Sequence, residues 1–370
     1  MYYPKNSSIR TVIHICQFLK HGSGKGTIQL VKALKAMGFE QRLILPHPTR
    51  GLSHGHDEIS EIWKMDIPTY FIHSTFEREH WTAQSLQNCL DGFIDDRVAV
   101  VTHGGFSANA VSAAGYKFTH YCHGFGLDRP YWVNDQDREG ISQAYRVLAA
   151  SNNIGFQCIK LGIPKKLIVT HYYPLELDIK SVDKLEFDKN VNLGQVGNFV
   201  ALKGHIHSLN TLQTIITNRT FDKNEFLLHF FGMGPLESVI KEKVVDMELS
   251  NYVFFHGHRS RDEIFPSIDI LLLPSIVEGL GLVNVEAIEF GIPICAFNVG
   301  GVGEIIEHGK TGLLSNVKDS VSMAENIISL VEYPSLAINL VREAQRKIGK
   351  MFELPGRGSL LRSSLIPAKV

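Results

Sequence analysis

Short aliphatic runs recur along the chain, nearly continuous rather than alternating, and between them apolar residues return at helical spacing. Residues 11–18, 41–45, 97–102, 119–122 and 145–150 read as one series of strands, with residues 27–37 an amphipathic helix that Gly38 ends. A second series follows Asp178: residues 192–196, 226–231, 252–256, 268–273 and 292–297. Strands that are apolar on both faces must be covered on both faces, so the alternation predicts doubly wound α/β units with parallel sheets. The polar, proline-bearing stretch 174–190 has little periodicity and reads as the linker. Residues 335–352 can form a helix, whereas Pro355, Gly356, Gly358 and Pro367 predict an irregular segment over 353–370. The expected organisation is a Rossmann-like domain over 1–178, a second over 179–352, and a tail. Ligands in such sheets bind beyond the carboxyl ends of the strands, here in a cleft between the two halves.

Composition narrows the function. A chain of 370 residues exceeds what one hydrophobic core supports, which agrees with two domains. A formal net charge of −1 excludes the electrostatic footprint of a nucleic-acid binder. No apolar stretch approaches the roughly 20 residues that span a bilayer, and residues 1–10 lack the basic start and apolar run of a signal peptide. A cytoplasmic location is expected. Five scattered cysteines without a Cys-x-x-Cys pair suit a reduced compartment and small apolar roles. The pairs His54 with His56, His205 with His207 and His256 with His258 have no third ligand nearby, so no metal is expected. In the tail, Arg357, Arg362 and Lys369 stand among Leu360, Leu361, Leu365 and Ile366. A loosely packed terminus of that composition could touch an anionic membrane surface, placing the protein peripherally on the inner face of the cell membrane.

The most informative window runs from Glu278 to Glu286. The strand 268–273 ends at Pro274-Ser275, a glycine-rich turn follows, and a helix opens near Leu282. The backbone N–H groups of Gly281, Leu282 and Val283 would therefore point at whatever sits above the strand end, forming an anion site. Glu278 and Glu286 flank it, each able to accept hydrogen bonds from hydroxyls. A phosphate between two hydroxyl-binding carboxylates describes a nucleotide sugar. The blander reading is a capped βα turn with two solvated glutamates. Gly22-Ser23-Gly24-Lys25-Gly26-Thr27 imitates a phosphate loop, but Leu19 stands where its first glycine belongs, which argues against a kinase. The glycines instead predict a turn whose amides approach a phosphate or an acceptor, the alternative being plain packing of the helix against the strand.

From about residue 193 to 314 the order of motifs resembles the retaining GT-B glycosyltransferases, specifically glycosyltransferase family 4. The motifs are Gly194-Gln195-Val196-Gly197-Asn198, Lys203-Gly204, Phe231-Gly232-Met233-Gly234, His256-Gly257-His258, Pro274-Ser275, Glu278 to Glu286, Gly291-Ile292-Pro293, Gly300-Gly301-Val302-Gly303-Glu304 and Gly309-Lys310-Thr311-Gly312. The resemblance implies that Glu286 holds the ribose diol, Glu278 the transferred sugar and Lys203 the diphosphate. It implies that the backbone around Gly257, His258 and Arg259 lines the base pocket and that the Gly232 turn approaches the nucleotide. It also implies that Gly24 and Gly26 approach phosphate or acceptor, and that His123, with His103 as a competing position, serves the reacting face of the sugar; on its residues alone His123 reads as a satisfied core histidine. Asn198 departs from the family, which commonly has arginine there. Neutralisation of the phosphate then falls to Lys203, backbone amides, and Arg259 or Arg261.

The resulting expectation is a metal-independent transferase that needs no cofactor and moves a UDP-linked hexose with retention to a glycan or lipid-linked acceptor in surface polysaccharide biosynthesis. Residues 48–61 and 129–140 are the candidate acceptor loops. A nucleotide-sugar epimerase of the same fold, or a non-catalytic binder, would share the donor contacts.

Overall fold

The computed structural model describes residues 9–16, 19, 21–46, 56–72, 83–124, 135–217 and 225–368. Two compact units emerge, one of Met1–Glu176 with Phe352–Val370, the other of Leu177–Met351.

In the first unit the elements are β1 (Thr11–Cys16), α1 (His21–Ala36), β2 (Glu40–Pro46), α2 (His56–Lys64), β3 (Thr69–Ile72), α3 (Ala83–Leu90), β4 (Val98–His103), α4 (Gly105–Ala113), β5 (Thr119–Cys122), α5 (Asp135–Ser142), β6 (Arg146–Ala149), α6 (Asn152–Lys160) and β7 (Ile168–Thr170). The second unit holds β8 (Asn190–Val196), α7 (His205–Thr217), β9 (Glu225–Phe231), α8 (Glu237–Asp246), β10 (Val253–Phe255), α9 (Arg261–Ile264), β11 (Ile270–Leu273), α10 (Leu282–Glu289), β12 (Ile294–Phe297), α11 (Val302–Ile305), β13 (Leu313–Ser315), α12 (Ser320–Glu332) and α13 (Pro334–Met351). The last helix, α14 (Leu354–Ser364), belongs to the first unit.

Both sheets are parallel. Their strand orders among the described residues are β3-β2-β1-β4-β5-β6-β7 and β10-β9-β8-β11-β12-β13. Each order reverses once, between β1 and β4 in the first sheet and between β8 and β11 in the second. At such a reversal the loops leaving two neighbouring strands diverge to opposite sides, opening a crevice at the strand ends. The central strands are mostly apolar and wholly buried, as β1, β4 and β11 show, because helices cover both faces. In the second unit Leu193, Phe230, Leu272 and Phe297 pack with Leu209 and Ile327 from the covering helices.

Three strands, β3, β7 and β13, are only three or four residues long, too short to be read from the sequence. Two expectations change. The glycine run 22–27 is not a turn: α1 begins at His21 and carries Gly22, Gly24 and Gly26 inside the helix. The segment 353–370 is not irregular, because Pro355 falls in the first turn of α14, where its missing N–H costs nothing. That segment is anchored by backbone bonds from Ala368 N to Val98 O at 2.8 Å and from Lys117 N to Ala368 O at 3.0 Å. Leu361 and Leu365 are buried and Arg362 lies over the Phe39 ring, so those apolar side chains are packed rather than offered to a membrane. Lys369 lies outside the described residues.

The glycines of α1 make a test of opposite signs. A Cβ on Gly26 would fall 2.5 Å from the buried Tyr173 ring, whereas one on Gly22 would meet nothing within 4 Å. Gly26→Ala should destabilise by about 1–3 kcal/mol through overpacking, despite its better helix propensity. Gly22→Ala should stabilise by up to about 1 kcal/mol. Urea denaturation of the two variants checks both signs.

Candidate functional site

In the second unit the site assembles at the reversal between β8 and β11. The β8 chain leaves through Gly197-Asn198 into a single 3-10 turn, Ala201–Lys203. It is then redirected by Gly204, which adopts φ 66° with its Cα against the β11 exit. A Cβ there would lie 2.0 Å from Pro274 O, so only glycine permits the approach. Ile276 N donates to Leu202 O at 2.9 Å. Gln195 Nε2 donates to Lys203 O at 2.8 Å, and Ser208 Oγ holds the Gln195 carbonyl at 2.7 Å. These ties fix the Lys203 turn beside the loop that carries Glu278.

The two side chains meet in an ion pair between Lys203 Nζ and Glu278 Oε1. Ser275 Oγ also donates to Glu278 Oε1, at 3.1 Å. Exposure of 29% for the lysine and 10% for the glutamate side chain makes the pair only partly solvated, so its charges are screened less than a surface pair's. Directly after it, α10 opens at Gly281, which takes φ 80° and gives no side-chain cap. The first amides of that helix, Leu282 and Val283 among them, have no intrahelical acceptor and carry the positive end of the dipole. The β12 exit completes the wall. Gly301 N donates to Glu278 O at 3.3 Å, and a Cβ on Gly301 would stand 2.1 Å from Gly279 O.

Further along the same edge, Gly197 N donates to Phe231 O at 2.9 Å and Gly232 N to Gly257 O at 2.7 Å. The expected group Asn198, Gly232 and Gly257 therefore shares one rim at the ends of β8, β9 and β10. His258 and Arg259 follow on that rim, exposed, with an Arg259 guanidinium N–H to His258 O at 3.3 Å. Glu286 lies on α10, partly exposed, three residues before the buried Glu289. Burial raises the Glu289 pKa, and the Glu286 charge adds to that. Glu289 in turn accepts from Asp178 N at 2.7 Å and pairs with Arg261 at 3.1 Å. Arg261, one of two arginines that sequence offered as a phosphate partner, also stacks over Phe290 and has a buried acid as its partner.

In the first unit the β1–β4 reversal holds a neutral chain of buried rings; a satisfied core histidine at His123 was one reading of the sequence, but its linkage through His103 to His14 was not foreseen. Gln41 Nε2 donates to Phe39 O at 3.3 Å, which leaves its Oε1 to accept from His14 Nε2 at 2.8 Å. Direction then propagates. His14 Nδ1 accepts from His103 Nε2 at 2.9 Å, His103 Nδ1 from His123 Nε2 at 2.9 Å, and His123 Nδ1 from the Tyr173 hydroxyl at 2.8 Å. Thr27 Oγ1 sits 3.3 Å from His123 Nε2. Both expected histidines thus belong to one chain, and both nitrogens of His123 are engaged within the unit. That differs from a ring free to bind a sugar hydroxyl. Gly24 and Gly26 are likewise not loop amides, since α1 contains them and Gly26 makes room for Tyr173. The clue in sequence was His14 and His103, polar residues inside otherwise apolar strands.

Among the described residues, no group of three His, Cys, Asp or Glu side chains is arranged to hold a metal. His256 pairs with His229 at 2.9 Å rather than with His258. His54 lies outside the described residues, as does most of the proposed acceptor stretch 48–61 and residues 129–134.

Burial depresses the histidines of the first unit, His14 and His171 to about 4 and His120 and His123 to about 3. The unfolded chain takes up these protons near pH 6.5, the folded one only near pH 3–4. Stability from these groups is therefore complete above about pH 6.5 and drains away as pH falls toward 4, by up to about 1.4 kcal/mol per pH unit for each ring. Thermal unfolding followed from pH 8 to 4 should show a midpoint flat above 7 and falling steeply below 6. His14→Gln should flatten the acid limb.

Comparison with known proteins bears on the family and the fold. Residues 178–347 match the family described as glycosyl transferases group 1, and residues 21–177 match glycosyltransferase family 4. N-acetyl-alpha-D-glucosaminyl L-malate synthase of Bacillus anthracis is 26% identical over 224 residues, 60% of this chain and 59% of that protein. The amylovoran biosynthesis glycosyltransferase AmsK of Erwinia amylovora is 28% identical over 130 residues, 33% of this chain and 32% of that protein. The chain thus spans about 60% or less of the length of these relatives. Anabaena HepE, crystallised with UDP and glucose, superposes with a TM-score of 0.78 at 16% identity over 95% of this chain and 98% of HepE, a likeness of fold. Two matched family regions, two parallel α/β units and a shared fold lead to one conclusion: the chain belongs to the GT-B glycosyltransferases of the group 1 family.

Proposed function

We propose that the chain is a retaining, metal-independent hexosyltransferase that takes a UDP-linked sugar and delivers it to a glycan or lipid-linked acceptor in surface polysaccharide biosynthesis. The observation that carries the reading is the Lys203–Glu278 pair beside the uncapped start of α10, at the reversal of the second sheet. HepE, of like fold, was crystallised with UDP and glucose, and AmsK is named for amylovoran biosynthesis.

Without donor, the lysine and glutamate satisfy one another. An arriving diphosphate offers the ammonium a doubly charged partner, and Glu278, released, accepts hydrogen bonds from the sugar hydroxyls. Glu286 accepts from the ribose diol. As the bond from the anomeric carbon to the phosphate oxygen breaks, negative charge grows on the diphosphate. Lys203 and the α10 amides stabilise that charge from fixed positions, with no reorganisation at the moment of reaction. The acceptor oxygen bonds to the anomeric carbon on the face the diphosphate leaves. Its proton passes to the departing phosphate, so no enzyme nucleophile is required, and both carboxylates remain hydroxyl ligands.

Turnover of UDP-hexose donors, measured by UDP release with candidate acceptors, checks the reading. Lys203→Ala should lower kcat by about 10² to 10³ with a smaller change in KM. Glu286→Ala should chiefly raise KM for the donor. Full turnover in the lysine variant would remove its assigned role.

A further inference from the structure

The surface of α6 does not fit its surroundings. Ser151 caps the helix through Ile154 N at 3.1 Å, and Ile154, Gly155, Gln157 and Cys158 turn inward. The outward face carries Phe156, 65% exposed, and Ile159, 38% exposed, three residues apart and hence on one stripe. Lys160 continues that stripe, and Lys165 and Lys166 are exposed on the turn that follows. None of the three lysines has a carboxylate partner among the described residues. Arg138 borders the turn, its Cδ 3.9 Å from the Cβ position of Gly162, but Asp135 engages it at 3.1 Å.

A contrast within the chain shows that this is not ordinary surface. Helix α8 also exposes apolar residues, Val239 and Val245, yet its Lys241 and Lys243 are paired with Glu237 at 2.7 Å and Asp246 at 3.0 Å. The α6 face instead combines an uncovered aromatic side chain with uncompensated positive charge. An acidic protein surface could answer the charge, but a projecting phenylalanine and isoleucine with lysines around them match an interface that is apolar below and anionic at its rim. That is the profile of an anionic lipid headgroup layer over acyl chains.

We propose that α6 and the turn after it form a membrane-docking surface, Phe156 and Ile159 entering the headgroup boundary and Lys160, Lys165 and Lys166 meeting anionic lipid phosphates. This places membrane contact on α6 and not on the packed terminal segment, and it stands independently of the transferase reading. The surface would bring the first unit to a bilayer without any spanning segment; no helix among the described residues is long and apolar enough to cross one.

Co-sedimentation of the full chain with phosphatidylcholine vesicles, with and without phosphatidylglycerol, tests the proposal. Binding should require phosphatidylglycerol and weaken as salt rises. The triple change Lys160→Ala, Lys165→Ala, Lys166→Ala should reduce it about a hundredfold, at roughly fivefold per lysine. Phe156→Ser with Ile159→Ser should abolish it, and Val245→Ser on α8 should leave it intact. UDP release with soluble substrates, read in parallel, should not change in any of these variants, so loss of folding and failure of the transferase reading register separately. Absence of vesicle binding by the unaltered chain, equal binding to neutral vesicles, or α6 variants that bind like the unaltered chain would overturn the proposal. So would self-association in solution that Phe156→Ser dissolves while vesicles are ignored.

Discussion

The pairing of β8 with β11 governs the second unit. Because the winding reverses there, two neighbouring strands end in loops that part company, and the chain must hold those loops at a fixed separation if they are to act together. It does so largely with backbone: Gly204 pressed against Pro274 O, Ile276 N bonded to Leu202 O, and Gly301 against Gly279 O, with Gln195 and Ser208 bracing the Lys203 turn. At the two glycine contacts a Cβ would collide. The ion pair of Lys203 and Glu278 is the consequence of this close approach, and α10 starts where the pair ends.

The two units use the same topological feature with opposite electrostatics. At the β8–β11 reversal stands a partly solvated charge pair beside a helix dipole, an arrangement that favours an incoming dianion. At the β1–β4 reversal stands a neutral, fully partnered chain from Gln41 through His14, His103 and His123 to Tyr173. A satisfied network of this kind has one self-consistent proton arrangement, so it holds Tyr173 and the N-terminal half of α1 in place. Gly26 is the corresponding requirement on the helix side. Protonating any ring breaks a link, and burial holds all of them neutral by disfavouring the charged form.

Much of this was legible in the residues. Continuous aliphatic runs gave the central strands of both sheets, and the spacing of Glu278, Gly281 and Glu286 located the helix start, because those features depend on local pattern. What escaped the sequence depended on distance across the fold. The short edge strands β3, β7 and β13 are strands only because a neighbour pairs with them. The glycine run 22–27 reads as a turn by composition, yet packing against Tyr173 makes it helix. Residues 354–364 read as broken, yet the first turn tolerates Pro355, and Gly358 lets α14 lie on Met37. The pairing of Arg261 with the buried Glu289, 28 residues further along the chain, was likewise invisible to local pattern.

The decisive quantity is where a nucleoside diphosphate sits. Titrating UDP into isotopically labelled protein and following backbone amide resonances locates it directly. Diphosphate held over α10 predicts the largest shifts at Gly281, Leu282 and Val283, with accompanying changes from Gly197 to Lys203 as the lysine leaves Glu278. Saturable UDP binding whose shifts spare those amides and gather elsewhere would contradict it.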